Sequence, residues 1–578
     1  MERITKSLKP IHKKAIVAGA VLIILSVAGI IVWQSVAVQK RRSHESMLIM
    51  QSVMDTLKVE SYFRDDYKRR LLHKQLIQFY NDRDYQLAWN TLKKPLPQTD
   101  SLLEAIRLSY QEGLEPDDYN FTEIKNLQES VFQPTRLIKK KYKKPDLLKL
   151  VQLDFYTTAA YLTYASHLKT GRIDPSRLDT NWISKPVNVN LARELAEAVR
   201  GKRIKRSLAA LLPQQEGYHQ LKNQLAHFRA IAEKGGWPVV RFSKPAKKGS
   251  NSEEIAVLKK WLALNGDLDQ AKATQNPTIF DTDLENALKK FQDRHGLAAD
   301  GKINSATLEA MNVPIEKRMD QIALNMERFR WLPDNLGKQY VTVNVPEFKL
   351  RVFKNDKKTM EMRVIVGREF SSTPIFSDTI EYIVMSPTWT VPKDIVVKEM
   401  LPIIQRNPQY LLANNFEVFT SWDSRDSIPL DSEAINWDTL SLDNFTYRVV
   451  QKPGENNSLG LIKFMLPNKM DIYLHDTPAD YLFDQPKRAF SHGCIRLEKP
   501  AELAAYLLDN EKKWNEETIT KAMHQDHSTI ASLPEKVPVR IMYSTAWMDE
   551  FGRMNFRKDI YGYDVKQVSA IRRKSKQL

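Results

Sequence analysis

Near residue 335 the hydrophobic period of the chain changes, and that change sets what each part can fold into. From residue 45 to about 235 glycines are few and apolar residues recur at helical spacing, as in LLKLVQLDFYTTAAYLTYASHL (147–168). The breaks fall at QEGLEPDDY (111–119) and TGRIDPSRL (170–178), both Gly/Pro/Asp turn clusters. Beyond the helical NMERFRWLPD (325–334), YVTVNVPEFKLRVF (340–353) and TMEMRVIVG (359–367) alternate and are rich in β-branched residues. Pro346 sits where a bulge is expected in the first of these. EYIVMSPTWTVP (381–392), LIKFMLP (461–467), MDIYLH (470–475) and VPVRIMY (537–543) continue the strand pattern. Between them, about 393–450 reads as an insertion of helix and loop.

The polar, basic stretch SKPAKKGSNSEE (243–254) is the clearest boundary. After it, Leu284, Ala287, Leu288 and Phe291 mark one face of an amphipathic helix. The turn HGLAADGKI (295–303) and a second helix, SATLEAMN (305–312), follow, so 253–314 is expected to be a small three-helix module. The fold class expected is α+β and multidomain. Residues 1–40 hold a cytoplasmic tail and membrane anchor, 41–242 a helical scaffold, and 253–314 the module. Residues 337–545 form a mostly β domain with its insertion at about 393–450, and 546–578 a C-terminal tail. The basic end of that tail, IRRKSKQL, is expected to be disordered.

The formal charge of +17 favours anionic partners such as nucleic acid, lipid headgroups or acidic polymers. Nucleic acid is set aside, because no zinc-finger spacing, RNA-binding aromatic signature or phosphate-binding glycine loop accompanies the charge. Part of the charge flanks AIVAGAVLIILSVAGIIVW (15–33), which contains no ionisable residue. That length suits a helix across a hydrocarbon core of roughly 30 Å, whereas a cleavable leader has an apolar region of about 7–15 residues. Arg3, Lys6, Lys9, Lys13 and Lys14 precede it; Lys40, Arg41 and Arg42 follow. The bias favours a cytoplasmic N-terminus, placing everything after about residue 40 outside the cytoplasmic membrane.

An exported chain with a single cysteine, Cys494, can form no internal disulfide. Such a thiol is either reactive or a small buried apolar group. It lies in IYLHDTPADYLFDQPKRAFSHGCIRLEKP (472–500), after Gly493 and shortly before the helical PAELAAYLLD. A glycine beside a nucleophile permits a tight turn whose N–H groups converge, and those of Gly493 and Cys494 are the expected donors of an oxyanion hole. A thiol near pKa 8.5 also needs a base. His492 is close in sequence but two residues back in a turn. His475 ends a strand that can lie beside the cysteine loop, so His475 is the expected base. Tyr473 shares a strand face with His475 and is a site-wall residue or a core aromatic. Trp389 is placed alike. A zinc site built on His475, His492 and Cys494 would lack any familiar spacing. A papain-like arrangement would need a distant downstream histidine, where only His524 and His527 stand in a polar turn.

His475, Ser491, His492, Gly493, Cys494 and Arg496 together resemble the L,D-transpeptidase signature, and WTVP (389–392) and RVVQKPGENNSLGLIKFMLPNKMDIYLHDTP (448–478) resemble its large multidomain branch. LKKFQDRHGLAADGKINSATLEAMN resembles peptidoglycan-binding modules. The resemblance implies an L,D-transpeptidase fold for the β domain, a capping insertion, Cys494 as nucleophile, His475 as base, and no cofactor or metal. It implies that Arg496 pairs with a carboxylate of a peptidoglycan stem peptide, an exposed structural salt bridge being the alternative. It also implies 3→3 crosslinking in the periplasm, acylation by carbapenems, and room for other cell-wall synthesis proteins as partners. An L,D-carboxypeptidase using the same site, or a non-catalytic wall-binding anchor, stays open.

Overall fold

The structure, a computed structural model, describes residues 10–61, 67–132, 146–183, 189–333, 336–423, 428–509 and 513–575. It is of mixed helical and β architecture and divides into two compact units. One contains Met1–Arg172 and Pro186–Pro213; the other contains Ile173–Lys185 and Gln214–Lys574.

The first unit is helical. Its longest core helix, Leu147–Thr170, is capped by Asp146, whose carboxylate accepts the N–H groups of Leu148 and Lys149. A buried carboxylate organises the packing: Asp154 accepts the backbone N–H groups of Ala88 and Trp89 and the Tyr80 hydroxyl. Residues 10–61 form one helix, with Met50 and Met54 in the core. The expected membrane span is not supported: among the described residues no helix is long and apolar enough to cross a membrane. The side chains of residues 10–24, and Arg3, Lys6 and Lys9 altogether, lie outside the described residues.

In the second unit, helices Glu253–Leu264, Thr282–Arg294 and Ser305–Met311, with the short Gln270–Thr274, enclose a core that includes Leu284, Ala287, Leu288 and Phe291. Arg294 binds Asp267 through both its Nε and Nη2, and its Nη1 donates to the Met554 carbonyl. The expected tail is therefore ordered over most of its length: a hairpin, Ala546–Met548 with Met554–Phe556, is fastened to this module. Helix Tyr563–Ser575 follows it, held by bonds from Arg328 to Asp564 and Gln567. The basic end is helical to Ser575 because Ile571 packs on Ile173 and Leu324, and only 576–578 lie outside the described residues.

The β domain runs through β1 (Gln339–Asn344), β2 (Lys349–Lys354), β3 (Lys357–Gly367), β4 (Phe376–Met385), β5 (Trp389–Thr390), β6 (Phe416–Phe419), β7 (Arg448–Gln451), β8 (Ile462–Met465), β9 (Leu474–His475), β10 (Ala489–Ser491), β11 (Ile495–Leu497) and β12 (Thr529–Met542). Pro346 marks a reversal rather than a bulge. A 3-10 turn at Val345–Glu347, with Phe348 at φ +59°, folds β2 back antiparallel on β1. The main sheet has the order β10-β3-β11-β9-β8-β4-β12-β1-β2, and β2 also pairs with β3, so the strands close into a barrel with β10 appended. Alternating residues such as Val343, Leu350, Ile462, Phe464, Leu474 and Ile495 fill the barrel. The insertion is more than helix and loop: β5, β7 and β6 form a sheet of their own over a separate core around Val396, Ile404, Val418 and Trp437.

Candidate active site

Cys494 sits in the tight connection from β10 to β11. Gly493 takes φ +126°, a conformation that L side chains rarely adopt, which is why glycine precedes the thiol. The loop is braced from within and without. The Gly493 N–H donates to Ser491 Oγ at 3.1 Å, and Ser491 Oγ donates to the Cys494 carbonyl at 2.6 Å. Thr373 Oγ1 donates to the Gly493 carbonyl at 2.8 Å while accepting the Gly367 N–H at 2.8 Å. The Tyr561 hydroxyl, from beyond the barrel, donates to the Gly367 carbonyl. These bonds correct the expectation for Gly493: its N–H is engaged by Ser491 and is not presented to an oxyanion.

The thiol is half-buried and donates to the Asp471 carbonyl, Sγ to O 3.6 Å. Burial pushes it up to about 11, against the pull of the Tyr473 backbone N–H and hydroxyl and of Arg496. Tyr473 thus faces the thiol, and its own pKa is raised by burial and by that sulfur; the Trp389 indole N–H bonds its hydroxyl in turn. Trp389, opening β5 of the insertion, and Tyr473 therefore stand together at Cys494.

His475 is buried, its ring meeting that of Tyr473 edge-on with centroids 5.7 Å apart. Its Nδ1 lies 2.6 Å from the Asp476 carbonyl, which can only accept. The proton is therefore on Nδ1 and the lone pair on Nε2. Burial and the nearby positive charge of Arg496 lower its pKa to about 3, so the imidazole is neutral near pH 7. The Asp476 carboxylate turns away to the Leu461 N–H.

His492 is exposed, and its Nε2 is bonded to Glu399 of the insertion at 2.6 Å. Glu399 also accepts from Arg368 at 2.8 Å. Burial pushes the Glu399 carboxyl up, but these two partners hold it below the usual range. Arg496 opposes His475 across β11 and β9. It is half-buried, and its Nε has no hydrogen-bond partner. Thr373 and Glu399 escaped sequence reading because each comes from a distant segment, and Asp471 because it meets the thiol through its backbone carbonyl. Lys463 escaped it because a lysine in an alternating strand reads as solvent-facing. Only its register, opposite His475 across β8 and β9, puts it here.

Residues 338–525 match the L,D-transpeptidase catalytic domain, 251–311 a family described as "Putative peptidoglycan binding domain", and 74–225 a scaffold domain. The similarity to L,D-transpeptidases is thus carried by residues 338–525, about a third of the chain. It is 33% identical over 274 residues to a curated Haemophilus influenzae protein named "Putative L,D-transpeptidase", covering 46% of this chain and 54% of that one. The chain thus spans about half the length of that relative. Solved structures include an L,D-transpeptidase from Mycobacterium smegmatis (12% identity, 36% of this chain, 58% of that chain, TM-score 0.18). Another is from Stackebrandtia nassauensis (15% identity, 52% of this chain, 97% of that chain, TM-score 0.20).

Proposed function

We propose that this protein is a peptidoglycan L,D-transpeptidase that forms 3→3 crosslinks through a thioester on Cys494. The observation that carries the reading is the strand pair β9–β11. It sets the buried, neutral His475, with Nδ1 held by a carbonyl, beside the strand that Cys494 opens. In the reaction, His475 Nε2 takes the thiol proton as sulfur attacks the carbonyl joining the L-centre of the diamino residue to terminal D-Ala. The C–N bond breaks, D-Ala leaves with the proton from His475, and a thioester remains. His475 then deprotonates the side-chain amine of a second stem, which displaces sulfur and restores the thiol. The Cys494 N–H and the Tyr473 hydroxyl, which meets the thiol, serve as donors to the oxyanion.

Arg496 pairs with a substrate carboxylate, Trp389 and Tyr473 line the acyl site, and Ser491 and His492 hold the loop. The insertion at 393–450 excludes water so that amine outcompetes hydrolysis. Residues 15–33 anchor the chain with its catalytic part in the periplasm, the module at 253–314 contacts the wall, and no cofactor takes part.

Incubation of purified protein with tetrapeptide stems, followed by mass spectrometry, tests this. The expected products are D-Ala and a crosslinked dimer, both absent with Cys494→Ala. Release of D-Ala without dimer would instead establish a carboxypeptidase. His475→Ala is expected to abolish the carbapenem adduct of Cys494, while His492→Ala keeps much of it. The reverse order would overturn the assignment of the base.

A further inference from the structure

On the outer face of the barrel, Lys463, His475 and Arg496 form one cross-strand row over β8, β9 and β11, set by the pairings Lys463↔His475 and Arg496↔His475. Directly opposed residues on paired strands share a face. The base therefore stands between two cations whose backbones lie two strand spacings, about 10 Å, apart.

These cations differ from the other buried cations of the same unit. Lys259, Arg294, Arg330 and Arg351 each meet a carboxylate. Arg318, Arg540 and Arg557, which lack one, each donate to a backbone carbonyl. Among the described residues, Lys463 and Arg496 show neither: Lys463 lies 5.7 Å over the Tyr473 ring, and Arg496 Nε is buried without an acceptor. Half-burying two charges with no acceptor is costly unless an anion arrives to complete them. Among the described residues no carboxylate acts on either cation: the thiol's field reaches both, and the Tyr481 phenol reaches Arg496 as well.

We infer that Lys463 is a specificity-determining residue that binds a second carboxylate of the acyl donor, Arg496 taking the first. The inference rests on the acyl-transfer reading of Cys494. A stem ending in D-Ala brings one carboxylate on the departing residue. A second anion on the acylating residue itself, next to the carbonyl under attack, is present where the diamino residue is a diacid with its distal carboxylate free. The site therefore selects free-acid donors over those in which that carboxylate is a carboxamide. An amide presents Lys463 with a neutral oxygen and leaves its charge uncompensated.

The test uses the full chain and two tetrapeptide donors that differ only in this group, carboxylate or carboxamide, with D-Ala release as readout. For the native protein the carboxylate donor is expected to be better by about 10- to 100-fold in kcat/KM, the loss of one charge-assisted hydrogen bond, and chiefly in KM. Lys463→Met removes that preference by raising KM for the carboxylate donor alone, and Lys463→Arg keeps it. Equal use of both donors by the native protein overturns the inference without any variant. So does a Lys463→Met protein that retains the preference, or one that loses kcat equally on both donors, which would assign Lys463 to the thiol and imidazole. Failure of the acyl-transfer reading looks different: no D-Ala from either donor and no carbapenem adduct on Cys494.

Discussion

The free thiol of this site is expected to be slow toward a simple alkylating agent although it is the proposed nucleophile. With its pKa pushed up to about 11, Cys494 carries about 0.03% thiolate at pH 7.5, against about 10% for an ordinary cysteine near 8.5. That is a deficit of about 300-fold. A more basic thiolate is also more nucleophilic, with a Brønsted slope of about 0.4–0.5, which recovers about tenfold and leaves alkylation about 30-fold slow. The perturbation is pH: the second-order rate with iodoacetamide, followed by intact mass, is expected to climb about tenfold per unit from pH 7 to 10 without levelling. Tyr473→Phe, which removes a hydroxyl that pulls the thiol down, lowers the whole curve. Acylation by a carbapenem behaves otherwise. His475, depressed to about 3, keeps its lone pair throughout, so no acid limb appears near pH 6–7. A plateau in alkylation below about pH 8 would mean a preformed thiolate–imidazolium pair and would refute the reasoning.

Two further outcomes are expected. Thr373→Val keeps shape but strips the Gly493 carbonyl and the Gly367 N–H of their buried partner, so thermal denaturation should show a loss of about 2–4 kcal/mol. Gly460→Ala should cost at least about 1–2 kcal/mol, because Gly460 is left-handed at φ +62° and its new Cβ meets the Asp476 side chain. It should also lower kcat by displacing the carbonyl that holds His475 Nδ1, measurable as slower D-Ala release at saturating donor.

What could be read from the chain was whatever chemistry is local. Cys494, Gly493 and His475 are legible because a positive-φ glycine, a thiol and a strand-ending histidine carry their reasons within one short stretch. Tyr473 is legible because a strand alternates, which puts it on the face of His475 with Leu474 turned into the barrel between them. The reversal at Pro346 was read as a bulge because alternation looks the same through a tight turn and along one ribbon. Lys463 and Thr373 were invisible for a different reason. Their roles depend on which strand lies next to which, and β8, β9 and β11 are neighbours through a closed sheet rather than through sequence. The use of the Gly493 N–H by Ser491 lay within reach, since a serine two residues back commonly bonds such a group.

The row Lys463–His475–Arg496 also ties recognition to chemistry. Burial first, and then both flanking cations, depress the basicity of His475, and a base held near 3 is a poor acceptor for a thiol near 11. The unliganded site is therefore quiet toward adventitious electrophiles. When carboxylates neutralise the two cations, the repulsion that opposes an imidazolium between them is removed, and His475 gains basicity as the donor is seated. Binding energy from groups that do not react would then appear in the proton transfer that does. On this logic a donor lacking one carboxylate loses rate as well as affinity whenever proton transfer limits turnover, and affinity alone when product release does. Solvent isotope effects on D-Ala release separate these regimes: a small effect with both donors is the expected pair, in keeping with a preference carried chiefly in KM.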